Sequence, residues 1–224
     1  MARSRSKGEW RKPGRRQGYR VLAPERHLIV CEGKKTEPLY FPGMRDALRQ
    51  EFRHRIHIVV KGTGLHTTDL LDYALRECRL SGSYDHVWVA YERDDFDPQG
   101  FDSVIAKCAQ ISDSTTAFHP LWSNPCFEVW ILLHFGYTTA GITSAEAIAR
   151  TDAVFRKRLK KPYKKNDAKI FENLYSRLDD AISSALRLDG WHEERRVIKP
   201  SEMNPGTRLY EIVNILQDYL GEQP

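Results

Sequence analysis

Residues 86–97 read HVWVAYERDDFD, a largely apolar run followed at once by four acidic side chains. An earlier stretch, HLIVCEG at residues 27–33, has the same form and ends in Glu32 and a glycine. Both runs are typical of buried strands, and open α/β sheets bind ligands at the carboxyl ends of their strands. If the two strands are neighbours, Glu32, Glu92 and Asp94 converge. Carboxylates placed so near one another raise each other's pKa unless a cation lies between them. The pattern therefore predicts a hard divalent ion, Mg²⁺ or Mn²⁺, held by oxygen ligands.

The first half of the chain alternates apolar strands with amphipathic helices, which predicts βαβ units and a mostly parallel sheet. The expected strands are residues 27–31, 56–60, 86–91 and 116–122. The expected helices run from Thr36 toward Phe52 with a kink or break at Pro42-Gly43, from Thr67 or Thr68 through Cys78, and across Val104 to Ile111.

The second half of the chain, from Ser123 onward, has the pattern of helices. We expect them at residues 125–135, 144–161, 167–186 and 207–220, with Ser123 or Asn124 capping the first and Thr207 the last. The predicted fold class is therefore α/β, with a mostly parallel sheet flanked by helices. Residues 21–122 form the α/β core, and residues 123–224 form a helical elaboration that completes the same domain.

The composition is ordinary for a globular protein, with 41 % hydrophobic and 29 % charged residues. No apolar run approaches the roughly 20 residues needed to span a bilayer, and the N-terminus lacks the apolar stretch of a signal peptide. The four cysteines have no CxxC or other regular spacing, which argues against a zinc site and against a disulfide framework. These observations predict a cytoplasmic protein that does not contact a membrane.

Positive charge is concentrated at the N-terminus. Residues 1–20 contain eight basic side chains and one acidic side chain, a net of +7, so the rest of the chain carries −2 of the overall +5. The segment has little to bury, which predicts a basic disordered tail. Such a tail suits a phosphate backbone, and a merely solubilising terminus is the alternative.

One carboxylate interrupts the apolar stretch 125–135. Glu128 is expected to be buried there, and a buried carboxylate must be paired or bound to a metal. A place in the active site and a salt bridge to a nearby Lys or Arg are both consistent with this position. His134, six residues on, faces elsewhere on the helix and is expected to be a hydrogen-bonded structural histidine.

A basic segment spans residues 155–169 and is opposed only by Asp167. Its members that we expect to contact nucleic acid are Arg156, Lys157, Arg158, Lys160, Lys161, Tyr163, Lys164 and Lys165. Lysines would bind phosphates and Tyr163 could stack on a base, while a solvated helix end is the alternative. Lys164 or Lys165 could also reach the active site and stabilise charge on a scissile phosphate.

Three motifs resemble those of the RloB-like family. They are CEGKKTEPLYF at residues 31–41, SNPCFEVWILLHF at residues 123–135, and NPGT at residues 204–207. The resemblance covers residues 20–220 and implies a Toprim-like, metal-dependent nuclease core, an association with bacterial antiviral defence and abortive infection, and an ATPase partner of the ABC or AAA type. The family has Asp where this chain has Glu92, so its Asp-x-Asp pattern becomes Glu-x-Asp.

The leading hypothesis is therefore a metal-dependent nuclease. Glu32, Glu92 and Asp94 would hold the metal, with Asp95 or Glu128 assisting. A second hypothesis is a nucleic-acid-binding or sensor subunit without turnover, and a third is nucleotidyl transfer as in primases. The sequence leaves open whether the substrate is DNA or RNA, tRNA included, and whether the protein forms oligomers.

Overall fold

The computed structural model describes residues 25–82, 84–94 and 97–221, which form a sheet covered by helices on both faces. The strands are β1 (Glu25–Cys31), β2 (Ile56–Gly62), β3 (His86–Glu92), β4 (Ala117–Asn124) and β5 (Gly206–Thr207). Their order in the sheet is β2-β1-β3-β4-β5, and every pair is parallel except β4 with β5. The predicted α/β class with a mostly parallel sheet is confirmed.

Three helices connect the strands: α1 (Thr36–Asp46), α2 (Thr67–Ser81) and α3 (Pro98–Ile111). The helices of the second half are α4 (Glu128–Leu133), α5 (Ser144–Val154), α6 (Ile170–Tyr175), α7 (Leu178–Glu194) and α8 (Tyr210–Leu216). A π-helical turn, Phe155–Leu159, follows α5, and short 3₁₀ turns lie at Pro200–Glu202 and Gln217–Tyr219. Within the described residues, no helix has the length and apolar character that crossing a bilayer requires.

Strand alternation divides the core between the two faces of the sheet. In β1, Ile29 and Cys31 pack with the residues of α1 and of the helices of the second half, whereas Leu28 and Val30 pack with α2 and α3. Successive strand side chains point to opposite faces, and helices cover both faces here. This double coverage explains why residues 28–31 of β1 and 87–91 of β3 are continuously apolar, and it leaves the strand ends as the place for acidic side chains.

The first half differs from the prediction mainly at α1. The helix passes through Pro42 without the expected break and ends at Asp46, well before Phe52. A proline has no backbone N–H, so Pro42 cannot donate a helical hydrogen bond to the carbonyl four positions earlier, here that of Pro38 in the first turn. Phe41 and Met44 are fully buried on either side of it, so tertiary packing holds this helix together.

The second half differs in its helix boundaries. β4 continues through Ser123 and Asn124, so neither caps a helix: the Ser123 and Thr207 hydroxyls lie 2.9 Å apart, and the Asn124 side chain donates to the Pro200 carbonyl at 2.9 Å. Thr207 lies in β5, because pairing with β4 replaces the predicted cap. The predicted helix 167–186 is two helices, α6 and α7, separated at Ser176–Arg177.

Candidate active site

Glu32 and Glu92 meet at the carboxyl ends of two adjacent strands. β1 and β3 pair directly, with Cys31 opposite Ala90. The backbone N–H of Glu92 donates to Glu32 Oε2 at 3.2 Å, and Glu92 Oε1 accepts from the backbone N–H of Phe127 at 2.6 Å. The two carboxylates therefore lie together, beside the start of α4, as the strand-end pattern predicts.

Glu128 is the most enclosed carboxylate of this group. Its side chain is 0 % exposed. Oε1 accepts from the Tyr163 hydroxyl at 2.8 Å and lies 3.2 Å from Lys165 Nζ. Oε2 has no hydrogen-bond partner. Buried polar atoms are rarely left unpaired, so this oxygen marks a place where a ligand could bind.

Glu37, in the first turn of α1, completes the group, which we call the carboxylate cluster: Glu32, Glu37, Glu92 and Glu128. It is only 5 % exposed. Its carboxylate lies against Gly33, where a Cβ atom would stand 2.4 Å from Glu37 Oε2. Sequence reasoning did not select Glu37, although it lies in the CEGKKTEP motif one helical turn beyond the glycine.

Burial and like charge shift the protonation of the carboxylate cluster. Burial, together with the negative charges of Glu128 and Glu32, raises the pKa of Glu37 to about 7. Burial, then the charges of Glu37, Asp94 and Glu128, raises the pKa of Glu92 well above its ordinary value. Without a cation some of these groups hold protons at neutral pH, and a bound cation would displace them. By chemical type these carboxylates suit a hard divalent ion such as Mg²⁺, but within the described residues no three of them bring ligand oxygens within 4.8 Å of one another, so their side chains would have to close around an ion.

The other acidic residues after β3 occupy different positions. Asp94 is exposed at the rim, where its backbone N–H donates to the Pro125 carbonyl at 2.8 Å and its carboxylate accepts from the Ser144 hydroxyl. Asp97 caps α3 by accepting from the Gly100 N–H at 2.7 Å. Asp95, also predicted as a metal ligand, lies outside the described residues, as does the basic tail.

A cleft of about 420 Å³ opens beside the carboxylate cluster. Glu32, Glu37 and Glu92 line it together with Lys34, Lys35 and Lys165. Gly64 faces the cleft in a left-handed conformation (φ 69°), and a Cβ atom there would stand 2.2 Å from the Lys34 side chain. The cleft thus places cations next to carboxylates, an arrangement that suits an anionic ligand carried by a metal ion.

The predicted basic segment contributes to the site at two residues. Tyr163 and Lys165 both contact Glu128. The Tyr163 ring also packs edge-on against Phe155 at 5.2 Å, so it lies in the carboxylate cluster's wall. Lys164 is exposed and has no contact with the cluster.

The rest of the segment lies outside the cleft. Arg156 pairs with Asp152 at 2.7 Å and Lys161 with Asp167 at 2.9 Å, whereas Lys157, Arg158 and Lys160 are exposed.

His134 is a buried structural histidine, as the sequence predicts. It is 1 % exposed, and its Nδ1 lies 2.9 Å from the Trp130 carbonyl. Burial lowers the pKa of His134 to about 4, so the ring is neutral at physiological pH.

A second group of metal-type side chains lies at the opposite ends of the strands: Glu25, His27 and His86. Trp88 Nε1–H donates to His27 Nδ1 at 3.2 Å, so the neutral His27 ring carries its proton on Nε2, which faces Glu25 Oε2 at 3.4 Å. A metal-bound histidine needs the opposite arrangement, with its second nitrogen donating to an acceptor. We therefore assign this group to packing rather than to a metal.

The family model for RloB-like proteins matches residues 27–216, which is most of the chain. The protein therefore belongs to the RloB-like family. No curated protein and no solved structure was found to match it.

Proposed function

We propose that this RloB-like protein is a metal-dependent nuclease with a Toprim-like active centre that hydrolyses phosphodiester bonds in DNA or RNA. The observation that carries the proposal is the unpartnered, fully buried Oε2 of Glu128 inside the carboxylate cluster. Burial and like charge raise the pKa of Glu37 and Glu92, so grouping these glutamates is unfavourable unless another group compensates. A divalent cation removes that conflict, and phosphodiester hydrolysis is the chemistry that such a site commonly supports.

The carboxylate cluster would hold Mg²⁺ or Mn²⁺, with Asp94 at the rim as a further ligand. Asp95 remains a predicted ligand. Glutamate oxygens suit both ions because both are hard cations. When bound, the ion would supply an activated water and stabilise charge on the phosphate oxygens.

The lysines of the cleft would bind and orient the substrate. Lys165 is 43 % exposed and already lies against Glu128, so it can contact a phosphate and the cluster at once. Lys34 and Lys35 line the same cleft as Glu32 and Lys165. Fixed cations next to the scissile phosphate stabilise the charge that develops in the transition state, and they do so without reorganising.

The test compares cleavage and metal binding in matched variants. Wild type, Glu128→Gln and Glu172→Gln would be incubated with duplex DNA, single strands and bulk tRNA in Mg²⁺, Mn²⁺ or EDTA. Glu172 is exposed on α6, away from the cluster, and pairs with Lys169, so its variant is the control. We expect metal-dependent cleavage by wild type and Glu172→Gln, with a loss of at least about 100-fold in Glu128→Gln, and calorimetric Mg²⁺ binding that weakens in the same variant. Full cleavage by Glu128→Gln, or cleavage in EDTA, would refute the proposal.

A second candidate function is a nucleic-acid-binding or sensor subunit without turnover. The exposed cations Lys157, Arg158 and Lys160 favour it, because they can hold a polyanion without help from the carboxylate cluster. Salt-sensitive binding with no cleavage in any metal, alone or with an ATPase encoded nearby, would support this function instead. The sequence resemblance implies an association with antiviral defence. We therefore propose, under either candidate, a role in bacterial antiviral defence with an ABC- or AAA-type ATPase as partner.

A further inference from the structure

An apolar pocket of about 320 Å³ lies near the C-terminal end of α4, the helix that begins with Glu128. It lies between α5 and the chain that follows α4. Its walls are mainly apolar and aromatic and include Leu132, Phe135, Gly136, Tyr137, Arg150 and Val154. Among the described residues that line it, none is acidic. The pocket is large enough for one planar heterocycle, since small-molecule sites begin at roughly 300 Å³.

The pocket walls offer planar groups. Phe135 and Tyr137 are the aromatic rings that line the pocket. The Arg177 guanidinium packs over the first at 5.4 Å and that of Arg187 over the second at 4.1 Å, and neither arginine is itself a lining residue. Nucleobases stack on aromatic rings and on guanidinium planes alike. The wall therefore matches a base better than it matches an aliphatic side chain.

The pocket is also close to the carboxylate cluster. Leu132 lies one helical turn from Glu128, a rise of about 6 Å along the axis. Two ring contacts connect the regions as well: Phe135 to Phe155 at 5.9 Å, and Phe155 to Tyr163 at 5.2 Å.

The surroundings of the pocket are positive, which complements a phosphate backbone. Arg150 lies on its wall, and α5 continues from Val154 directly into the π-helical turn that carries Arg156, Lys157 and Arg158. All three side chains of that turn are exposed. A strand whose base entered the pocket would therefore have its phosphates beside these cations.

We infer that this pocket holds one unpaired nucleobase of the substrate. The substrate class is then single-stranded nucleic acid or an unpaired loop rather than intact duplex, because a paired base must leave its stack to enter. This inference rests on the proposed function, since it assumes that the carboxylate cluster acts on nucleic acid.

Two glycines allow a matched test. An added Cβ atom meets nothing within 4 Å at either Gly136, on the pocket wall, or Gly190, in α7 and outside the pocket. Gly136→Phe therefore fills the pocket from open space, and Gly190→Phe adds the same ring elsewhere. Binding of a labelled short single-stranded RNA, and of DNA of the same sequence, would be measured by fluorescence anisotropy in EDTA, so that cleavage plays no part.

We expect Gly136→Phe to weaken single-strand binding by about 5- to 100-fold, which is the range for losing one stacked base, while Gly190→Phe binds like wild type. A series of oligonucleotides, each with one abasic residue at a different position, should include one that binds wild type as weakly as the intact strand binds Gly136→Phe. That same oligonucleotide should bind Gly136→Phe no more weakly than the intact strand does.

The two proposals fail in different ways. If wild type binds single strands and Gly136→Phe binds equally well, the pocket inference is wrong and the proposed function stands. Tighter binding of duplex than of single strand would also overturn the inference. If wild type binds no nucleic acid of any kind in EDTA or in Mg²⁺, and cleaves none in Mg²⁺ or Mn²⁺, the proposed function falls and the inference falls with it.

Discussion

Replacing Glu37 by glutamine should make the protein more stable at pH 8, even though it alters a buried side chain. Glu37 has a pKa of about 7 in the folded chain against a reference value of 4.5, mainly because it is buried. Between these two pH values the folded state holds the proton more tightly than the unfolded state. The free energy of unfolding contributed by Glu37 therefore falls as the pH rises from 4.5 to 7, and the loss is complete above pH 7.

The size of this loss follows from the shift. One pKa unit corresponds to about 1.4 kcal/mol, so ionising Glu37 in the fold should lower the free energy of unfolding by about 3 kcal/mol at pH 8. Glutamine keeps the size of the protonated acid and does not ionise. The free energy of unfolding of Glu37→Gln should therefore lie within about 1 kcal/mol of the wild-type value at pH 5. At pH 8 it should exceed the wild-type value by about 3 kcal/mol.

The assay is urea unfolding in EDTA at several pH values, with the variant compared to wild type at each. The comparison is needed because burial lowers the pKa of His119 and His134 to about 4, and their titration makes wild-type stability rise with pH up to about 6.5. Glu146→Gln is the control, since hydrogen bonds to Thr143 lower the pKa of Glu146, and this variant should gain nothing at pH 8.

Two results would refute the reasoning. One is a difference between Glu37→Gln and wild type that does not change from pH 5 to pH 8, and the other is a variant less stable than wild type at pH 8. Magnesium adds a separate check on the proposed function. If the carboxylate cluster binds it, Mg²⁺ should stabilise wild type at pH 8 and stabilise Glu37→Gln less.

Three further predictions concern the same region. Tyr163→Phe removes a hydrogen bond to Glu128 and should lower Mg²⁺ affinity or cleavage by about 10- to 100-fold, as measured by calorimetry and turnover. Mg²⁺ affinity should rise with pH from 6 to 8, because binding must displace the proton of Glu37, and calorimetry in buffers of different ionisation enthalpy should detect the released protons. Tyr40→Phe leaves the buried Trp130 Nε1–H without its acceptor and should cost about 1–3 kcal/mol in urea unfolding.

Local pattern was enough to predict the mostly parallel sheet and the proximity of some residues of the candidate site. Strand-end position alone brought Glu32 and Glu92 together, because adjacent parallel strands end at the same edge. Glu128 was predicted from the cost of burying a carboxylate among apolar residues. Glu37 was missed because a glutamate in the first turn of a helix is usually explained by the helix dipole, and its burial depends on the tertiary fold.

Tyr163 shows where sequence reasoning must stop. Its position among lysines suggested a base-stacking surface, but its hydroxyl contacts Glu128, which is distant in sequence. A long-range contact of this kind has no local periodicity, so it cannot be predicted without the fold. The helix boundaries after Ser123 failed for the same reason: β5 pairs with the end of β4, and that pairing decides what Ser123 and Thr207 do.

The glutamate in place of the family's aspartate also has a structural consequence. Glu92 Oε1 accepts from the backbone N–H of Phe127, immediately before α4 begins. That bond ties the end of β3 to the helix that carries Glu128, and an aspartate, one methylene shorter, would not reach the same atom from this backbone. One carboxylate oxygen of Glu92 therefore holds α4 in place, and the other is available to the cleft. Glu92→Asp should accordingly loosen the start of α4 and disturb the position of Glu128. In this chain a glutamate at position 92 is therefore compatible with an intact carboxylate cluster.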